Sequence, residues 1–327
     1  MHGRRNLVLS LGALALSAPL ACFAQQQRPR IARIGVLEST SSSASQREAL
    51  IAGLREHGLV ENKSFILEYR WAKGRYELLP GLAAELIQTK VDVLLAGGAP
   101  AVQAAKQASN SIPIVMVRVG DPVGSGFVAS LSRPERNITG LSNDVAEVAS
   151  KYVELLRAAV PELLRVAVLA NPNNPIHPEY LKLVQATGQA NAVTILPIQA
   201  STASQIELAL DEIREQRGVA LIVLADPFFS SQASRIAELA VHRRLPTMFW
   251  TRGLAEAGGL MSYGQNNAEH YFRAATYIDK ILKGAKPGDL PVEQATKVEL
   301  VINLQSAKAI GLTIPRQLLL RADMVIE

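Results

Sequence analysis

The residues best placed to do chemistry sit directly after short apolar runs. Glu38-Ser39-Thr40-Ser41-Ser42-Ser43 follows the first run, Gly97-Gly98-Ala99-Pro100 the third and Gly120-Asp121-Pro122 the fourth. Further along, Asn171-Pro172-Asn173-Asn174, Asp226-Pro227 and Trp250-Thr251-Arg252 each close an apolar run. Hydroxyls, amides, carboxylates and one arginine in such loops suit noncovalent capture of a small polar or zwitterionic solute. Helix starts near Ser39, Ser41 and Ser42, and near Gly97, Gly98 and Ala99, would present backbone N–H groups to a carboxylate. Asp121 or Asp226 would then pair an ammonium group. In a chain with 5% aromatics, Trp250 and Tyr263 are candidates for stacking on the solute. Tyr263 suits core or hinge packing equally, and Trp71 suits packing better. Any one of these loops is also ordinary turn and N-cap chemistry. Their recurrence in both halves of the chain is what points to a site.

Covalent chemistry lacks its usual signatures. There is no Walker loop, no HExxH pair and no GxSxG elbow. The histidines (His2, His57, His177, His242 and His270) are scattered without metal-ligand spacing. Gly124-Ser125-Gly126-Phe127-Val128-Ala129 formally matches a dinucleotide fingerprint, with Asp144 about 20 residues on. It follows the fourth apolar run instead of the first, and Pro122 lies in its approach. The expectation is a binding protein with no catalytic residues, no cofactor and no metal, the alternative being an α/β enzyme that uses this dinucleotide-like segment.

The elements that would position these loops alternate regularly. Apolar runs at 31–37, 64–70, 91–96 and 112–119 read as strands, separated by helical periodicity at 46–57, 78–89 and 100–108. The rhythm restarts with a helix at 148–160, then strands at 165–170, 193–198, 219–225 and 245–250 alternating with helices at 179–190, 203–216 and 230–242. Parallel strands need a crossover, and a helix is the compact one. Two such α/β units imply two open sheets flanked by helices, with ligands outside the carboxyl ends of the strands. The tail departs from the pattern: a strand-like 258–263, a helix at 268–283, and a short strand at 300–302. A helix returning there to the first lobe would join the lobes by several crossings, as in a hinged clamshell.

The first two dozen residues read as an export signal. Arg4-Arg5 precedes an uncharged apolar run to Leu20, shorter than the roughly 20 residues a membrane-spanning helix needs. A cut after Ala24 follows, with Sec and twin-arginine export both open. Cys22, the sole cysteine, offers acylation as the alternative, but Pro19-Leu20-Ala21 fits that signal poorly. Removal of the signal takes two units from the formal charge of +5. The remaining charges are scattered, which gives no footprint for nucleic acid.

Several strings together resemble a known family. Glu68-Tyr69-Arg70-Trp71-Ala72, Gly97-Gly98, Asp121-Pro122-Val123, Ala129-Ser130-Leu131-Ser132-Arg133-Pro134 and Asn137-Ile138-Thr139-Gly140 occur in order, followed by Asn171-Pro172-Asn173-Asn174 and Gly258-Gly259-Leu260-Met261-Ser262-Tyr263-Gly264. In these the chain resembles the periplasmic substrate-binding proteins of ABC transporters whose better-known relatives bind tryptophan or related amino acids. The resemblance implies a type I periplasmic-binding-protein fold: two Rossmann-like lobes with parallel sheets, joined by three hinge crossings near 140–144, 260–264 and 285–290. Lobe 1 would comprise 25–141 and 263–286, and lobe 2 would comprise 142–262 and 287–327, after a signal at 1–24. The ligand would touch Ser39, Ser41, Ser42, Gly97, Gly98, Ala99, Asp121 and Pro122 from lobe 1. Asn143 at a hinge, with Asn171, Asn173, Asp226, Trp250 and Tyr263, would complete the set. The implied partners are a small-molecule ligand and inner-membrane permease subunits with their cytoplasmic ATPase, the receptor itself being a periplasmic monomer. A receptor feeding a membrane sensor would share this fold. Ser132-Arg133-Pro134-Glu135-Arg136 departs from the family's glycine-rich turn, a change expected at the surface.

Overall fold

The computed structural model describes residues 31–213, 219–295 and 297–327. The expectations about export, the cut after Ala24 and acylation at Cys22 lie outside the described residues.

The chain begins with β1 (Ala32–Glu38), α1 (Ala44–Glu56), β2 (Phe65–Trp71), α2 (Leu79–Gln88), β3 (Val93–Gly97), α3 (Ala99–Ala108), β4 (Ile114–Val119) and β5 (Ile138–Asn143). It continues through α4 (Val145–Ala159), β6 (Arg165–Ala170), α5 (His177–Ala190), β7 (Thr194–Gln199), α6 (Ala203–Ile213) and β8 (Val219–Val223). Next come α7 (Pro227–Ser231), α8 (Ala233–His242), β9 (Thr247–Phe249), α9 (Arg252–Glu256) and β10 (Met261–Gln265). The remainder is α10 (Asn267–Leu282), β11 (Glu293–Ala295), β12 (Val298–Asn303), α11 (Leu304–Ile310), α12 (Arg316–Leu319) and β13 (Met324–Ile326).

Two sheets result. The six-stranded sheet has the order β11-β5-β4-β3-β1-β2, and the seven-stranded sheet the order β13-β12-β10-β9-β8-β6-β7. Pairing is parallel throughout except between β10 and β12. Strands buried on both faces explain the unbroken Val/Ile/Leu runs. In β1, Ile34 and Val36 join the core under α1 and α10, while Leu37 joins the one under α2 and α3. In β6, Val166 and Val168 pack toward α4 and α5, and Ala167 and Leu169 toward α6 and α8. The two α/β lobes expected from the rhythm are therefore present.

Three passages join the lobes, and two fall elsewhere than expected. The first lies between Asn143 of β5 and Val145 of α4. β10 lies wholly in the seven-stranded sheet, so the second passage comes after Gln265, where Asn266 caps α10. The third lies between Ala295 and Val298, not at 285–290, because Glu293 pairs with Leu141 and adds β11 to the edge of the six-stranded sheet. β11 is only 3 residues long, too short for an apolar alternation to announce it.

Candidate functional site

The carboxyl ends of the two sheets face one another across a cleft enclosing about 720 Å³ of empty space, its open mouth included. Strand order grades this cleft from hinge to lip. Near the passages lie Asn143 on β5, Gln265 on β10 and Asn267 on α10, and one strand further in lie Arg118 on β4 and Trp250 after β9. At the outer lip, the segment after β2 meets Asp226, which follows β8.

The hinge-side corner is built around Arg118. The β4–β5 register shifts between Met116 and Val119, and Arg118 sits in that irregularity with φ 59°. A bulge of this kind re-aims a side chain. The Arg118 Nη2 donates to Glu38 Oε2 at 2.7 Å, and the Tyr271 hydroxyl donates to Glu38 Oε1. Glu38 is buried at the end of β1, and burial pushes its carboxyl pKa up against the opposing pull of Arg118 and Tyr271. Gly97 makes room for it, since a Cβ there would lie 2.3 Å from Glu38 Oε2. Arg118 Nε and Asn143 Oδ1 are buried without a hydrogen-bond partner among the described residues. His270 on α10 is likewise buried with both ring nitrogens unpartnered. Burial, and then Arg118, push its pKa down to about 4.

The lip is saturated by comparison. Asp226 Oδ1 accepts from the backbone N–H groups of Phe228 (2.9 Å) and Phe229 (3.1 Å), capping α7, and from Asn171 Nδ2 at 3.2 Å. Its Oδ2 accepts from Asn174 Nδ2 at 2.8 Å and from the Tyr76 hydroxyl at 2.5 Å. Tyr76 belongs to the first lobe, so this last bond closes the lip. Gly74, beside it at φ 81°, is pressed against α7: a Cβ would lie 2.9 Å from Ser231 Oγ and 3.0 Å from Phe228 Cα. Behind Asp226, His177 Nδ1 accepts from the backbone N–H of Asn171 at 2.8 Å, leaving Nε2–H to donate to Ala225 O at 3.1 Å. Burial lowers the His177 pKa against the pull of Asp226, consistent with a neutral ring.

Between corner and lip the second lobe supplies an apolar and aromatic wall: Val145 and Val148 of α4, Tyr152, Ile176, Tyr180 and Trp250. Ile176 packs into a core cluster of the first lobe. Burial, and then Tyr180, raise the Tyr152 phenol well above its usual range, keeping it a neutral donor.

Of the residues expected to meet ligand, Gly98, Ala99, Asn143, Asp226 and Trp250 line the cleft. The others have local employment. Ser39 Oγ accepts from Ala101 N at 3.1 Å and caps α3. Ser41 is exposed, and Ser42 lies on a separate depression beside Tyr69 and Trp71. Gly97 serves Glu38. Asp121 Oδ1 closes its own turn on Gly124 N at 2.8 Å, and Pro122 O anchors the backbone N–H of Phe127 at 2.8 Å. That turn starts no helix, so 124–129 lacks the strand–turn–helix setting a dinucleotide needs. Asn171 orients Asp226, Asn173 is exposed in a turn, and Tyr263 packs beside the second-lobe core around α4. Thr40 and Asn174, from strand-end loops already singled out, also line the wall, and the residues missed include Arg118, Tyr152, Ile176, Tyr180, Gln265 and Asn267 on the wall and Tyr76 at the lip. Arg118 carried a signal, being one charge inside the buried run Ile114–Val119. No group of three or more metal-ligating side chains occurs among the described residues, and no described helix is long and apolar enough to cross a membrane.

Two open α/β sheets joined by three passages around a cleft define a periplasmic-binding-protein fold. The chain belongs to the family described as ABC transporter substrate binding protein, whose model matches residues 31–326. It is 24% identical over 266 residues to a tyrosine-binding protein of Clostridioides difficile, covering 81% of this chain and 76% of that one. Among solved structures, a conserved domain protein of Vibrio cholerae is 27% identical with a TM-score of 0.85, over 90% of this chain and 100% of that one. A Streptococcus pneumoniae ABC domain in complex with L-Trp is 24% identical with a TM-score of 0.83, over the same shares. The chain is thus similar to solute-binding proteins.

Proposed function

We propose that this substrate-binding protein captures a small solute with a polar head and an apolar or aromatic body, releasing it unchanged to an ABC permease powered by a cytoplasmic ATPase. The observation that carries the reading is the interlobe cavity itself: polar at the hinge-side corner, apolar and aromatic along the second lobe, and shut at the lip by Tyr76 and Asp226. Its size falls in the range of small-molecule sites, and such sites are mostly apolar with a few placed polar groups. Amino acids with aromatic side chains, the ligands in the names of two relatives, have that character. Gly98, Ala99, Asn143 and Trp250 are the expected residues that keep a ligand-facing role. Asp226 is reassigned to closing the lip.

Closure follows from differential affinity: a solute touching both walls stabilises the form in which they meet. No covalent step is required, and periplasmic delivery of a monomer fits the Arg4-Arg5 signal. The test is a thermal-unfolding panel of amino acids, aromatic acids, sugars and nucleosides on mature protein that has been unfolded and refolded to strip co-purified solute. A ligand at 100 times its dissociation constant adds about 2.7 kcal/mol, and small-angle scattering should show a smaller radius of gyration on addition. Turnover of any solute, or stabilisation without compaction, would defeat the reading.

A further inference from the structure

Among the described residues, two charged side chains line the cavity, Arg118 and Asp226. An ionised carboxylate offers about four lone-pair sites, and Asp226 already receives donors from Phe228, Phe229, Asn171, Asn174 and Tyr76. An ammonium group reaching it would have to break the cap of α7 or reopen the lip. Asp226 is therefore closed to ligand. Arg118 is not: it spends Nη2 on Glu38 and has an orphaned Nε–H. The next strand brings Asn143, whose Oδ1 is an acceptor with no partner among the described residues. The Val119–Ser142 pairing places Arg118 and Asn143 at the same end of β4 and β5. An orphaned donor and an orphaned acceptor thus belong to two residues that both line the cleft, and buried polar groups are rarely left so.

We propose that Arg118 and Asn143 form the head-group subsite, and that it takes an aromatic carboxylate carrying a hydrogen-bond donor on the carbon beside the carboxylate. This rests on the receptor reading and deepens it. The guanidinium fork accommodates a carboxylate, Asn143 Oδ1 receives the neighbouring donor, and the ring lies along Tyr152, Tyr180 and Trp250 of the second lobe. Because Asn143 is a neutral acceptor and Asp226 is occupied, the donor need not be an ammonium. A 2-hydroxy acid satisfies the corner as a 2-amino acid does, and the site holds the two with similar affinity.

The test is calorimetric titration of refolded mature protein with L-tryptophan, indole-3-lactate, indole-3-propionate and tryptamine, with the matching 4-hydroxyphenyl series alongside. The amino and hydroxy acids should bind within about 10-fold of one another. Loss of the donor should weaken binding about 10-fold, and loss of the carboxylate about 100-fold. Arg118→Gln leaves Glu38 buried and unpaired, so the variant to compare is Glu38→Gln/Arg118→Gln, which should bind the acids about 100-fold more weakly; Asn143→Ala should erase the advantage over indole-3-propionate. If the double variant does not fold, the ligand series on the natural protein decides. The subsite is overturned if tryptamine rivals L-tryptophan, if the amino acid exceeds the hydroxy acid by more than about 10-fold, or if the folded double variant binds undiminished. Those outcomes leave the receptor reading standing. Binding of no compound in either series overturns both the subsite and the aromatic-solute reading.

Discussion

Asp226 and Arg118 both face the cleft, and they are supported in opposite ways. Asp226, at the lip, is wrapped in donors from two backbone N–H groups of its own loop, Phe228 and Phe229, from Asn171 and Asn174 in the loop after β6, and from Tyr76 across the gap. Arg118, one strand from the hinge, is braced by Glu38 and Tyr271 yet has an unanswered N–H. A charge at a strand end is thus not a ligand contact by virtue of position alone. A saturated group holds the frame; an under-satisfied one in a preformed cavity is available for work.

The contrast can be broken at its saturated end first. Asp226→Ala would leave two α7 N–H groups, both asparagine amides and the Tyr76 hydroxyl without their acceptor in a site only 2% exposed. Loss of a cap and of a buried network should cost about 3–5 kcal/mol. Urea unfolding monitored by circular dichroism measures this. A loss below about 1 kcal/mol would mean the carboxylate is not structural, and its assignment to the lip would be wrong.

The Arg118 end makes its own prediction through His270, which has no hydrogen-bond partner among the described residues to stabilise its charged form and feels the guanidinium. Its folded pKa of about 4 lies below the ordinary 6.5, so the unfolded chain binds the proton more readily. The stabilising contribution is complete above pH 6.5 and is lost as pH falls from there toward 4. Between pH 7 and 5 this amounts to about 2 kcal/mol. His270→Leu should flatten that part of the pH–stability profile relative to the natural protein. An unchanged slope would show that the ring is solvated.

Much of the frame was legible because burial on both faces forces apolar strands, and crossovers force the helices between them. β1 through β4 and β6 through β9 announce themselves in this way. β11 did not, since its pairing is made by backbone on an edge, and β10 was displaced by the second-lobe strand it joins. The site was harder. Gly98, Ala99, Asn143 and Trp250 follow from the strand-end rule, but Ser39 and Asp121 obey the same rule and turn inward to cap their own loops. A single sequence does not show which way a side chain turns. Tyr152 and Tyr180 stand on helices, where nothing distinguishes a cleft-facing ring from a core-facing one. Arg118 was the visible exception, a charge where β4 should be apolar.

Gly74 tests whether the lip is as tight as the bonds at Asp226 suggest. Gly74→Ala adds strain at φ 81° and a methyl within 3.0 Å of Phe228 Cα. If the lobes stay closed the protein should lose about 1–2 kcal/mol; if they open instead, the radius of gyration of the ligand-free protein rises. Neither effect would mean the first lobe does not press on α7.

The gentlest probe of the same contact is Tyr76→Phe. It keeps the ring, which is half-buried against the core under α2, and deletes only the hydroxyl that crosses the gap. Asp226 would retain four donors, so the second lobe should hold its stability, in contrast to Asp226→Ala. What changes is the balance between open and closed forms, because the lost bond exists only when the lobes meet. A hydrogen bond to a charged group contributes about 1.5–3 kcal/mol, but water replaces it once the lip opens, so we expect about 1 kcal/mol and a solute affinity roughly 5-fold weaker. The loss should appear as faster solute release, since closure is what retains the solute. Stopped-flow fluorescence of Trp250 in a Trp71→Phe background, which removes the other tryptophan, follows it. A variant with unchanged release but lowered unfolding stability would place Tyr76 in the frame of the first lobe and leave the lip to α7 and Gly74 alone.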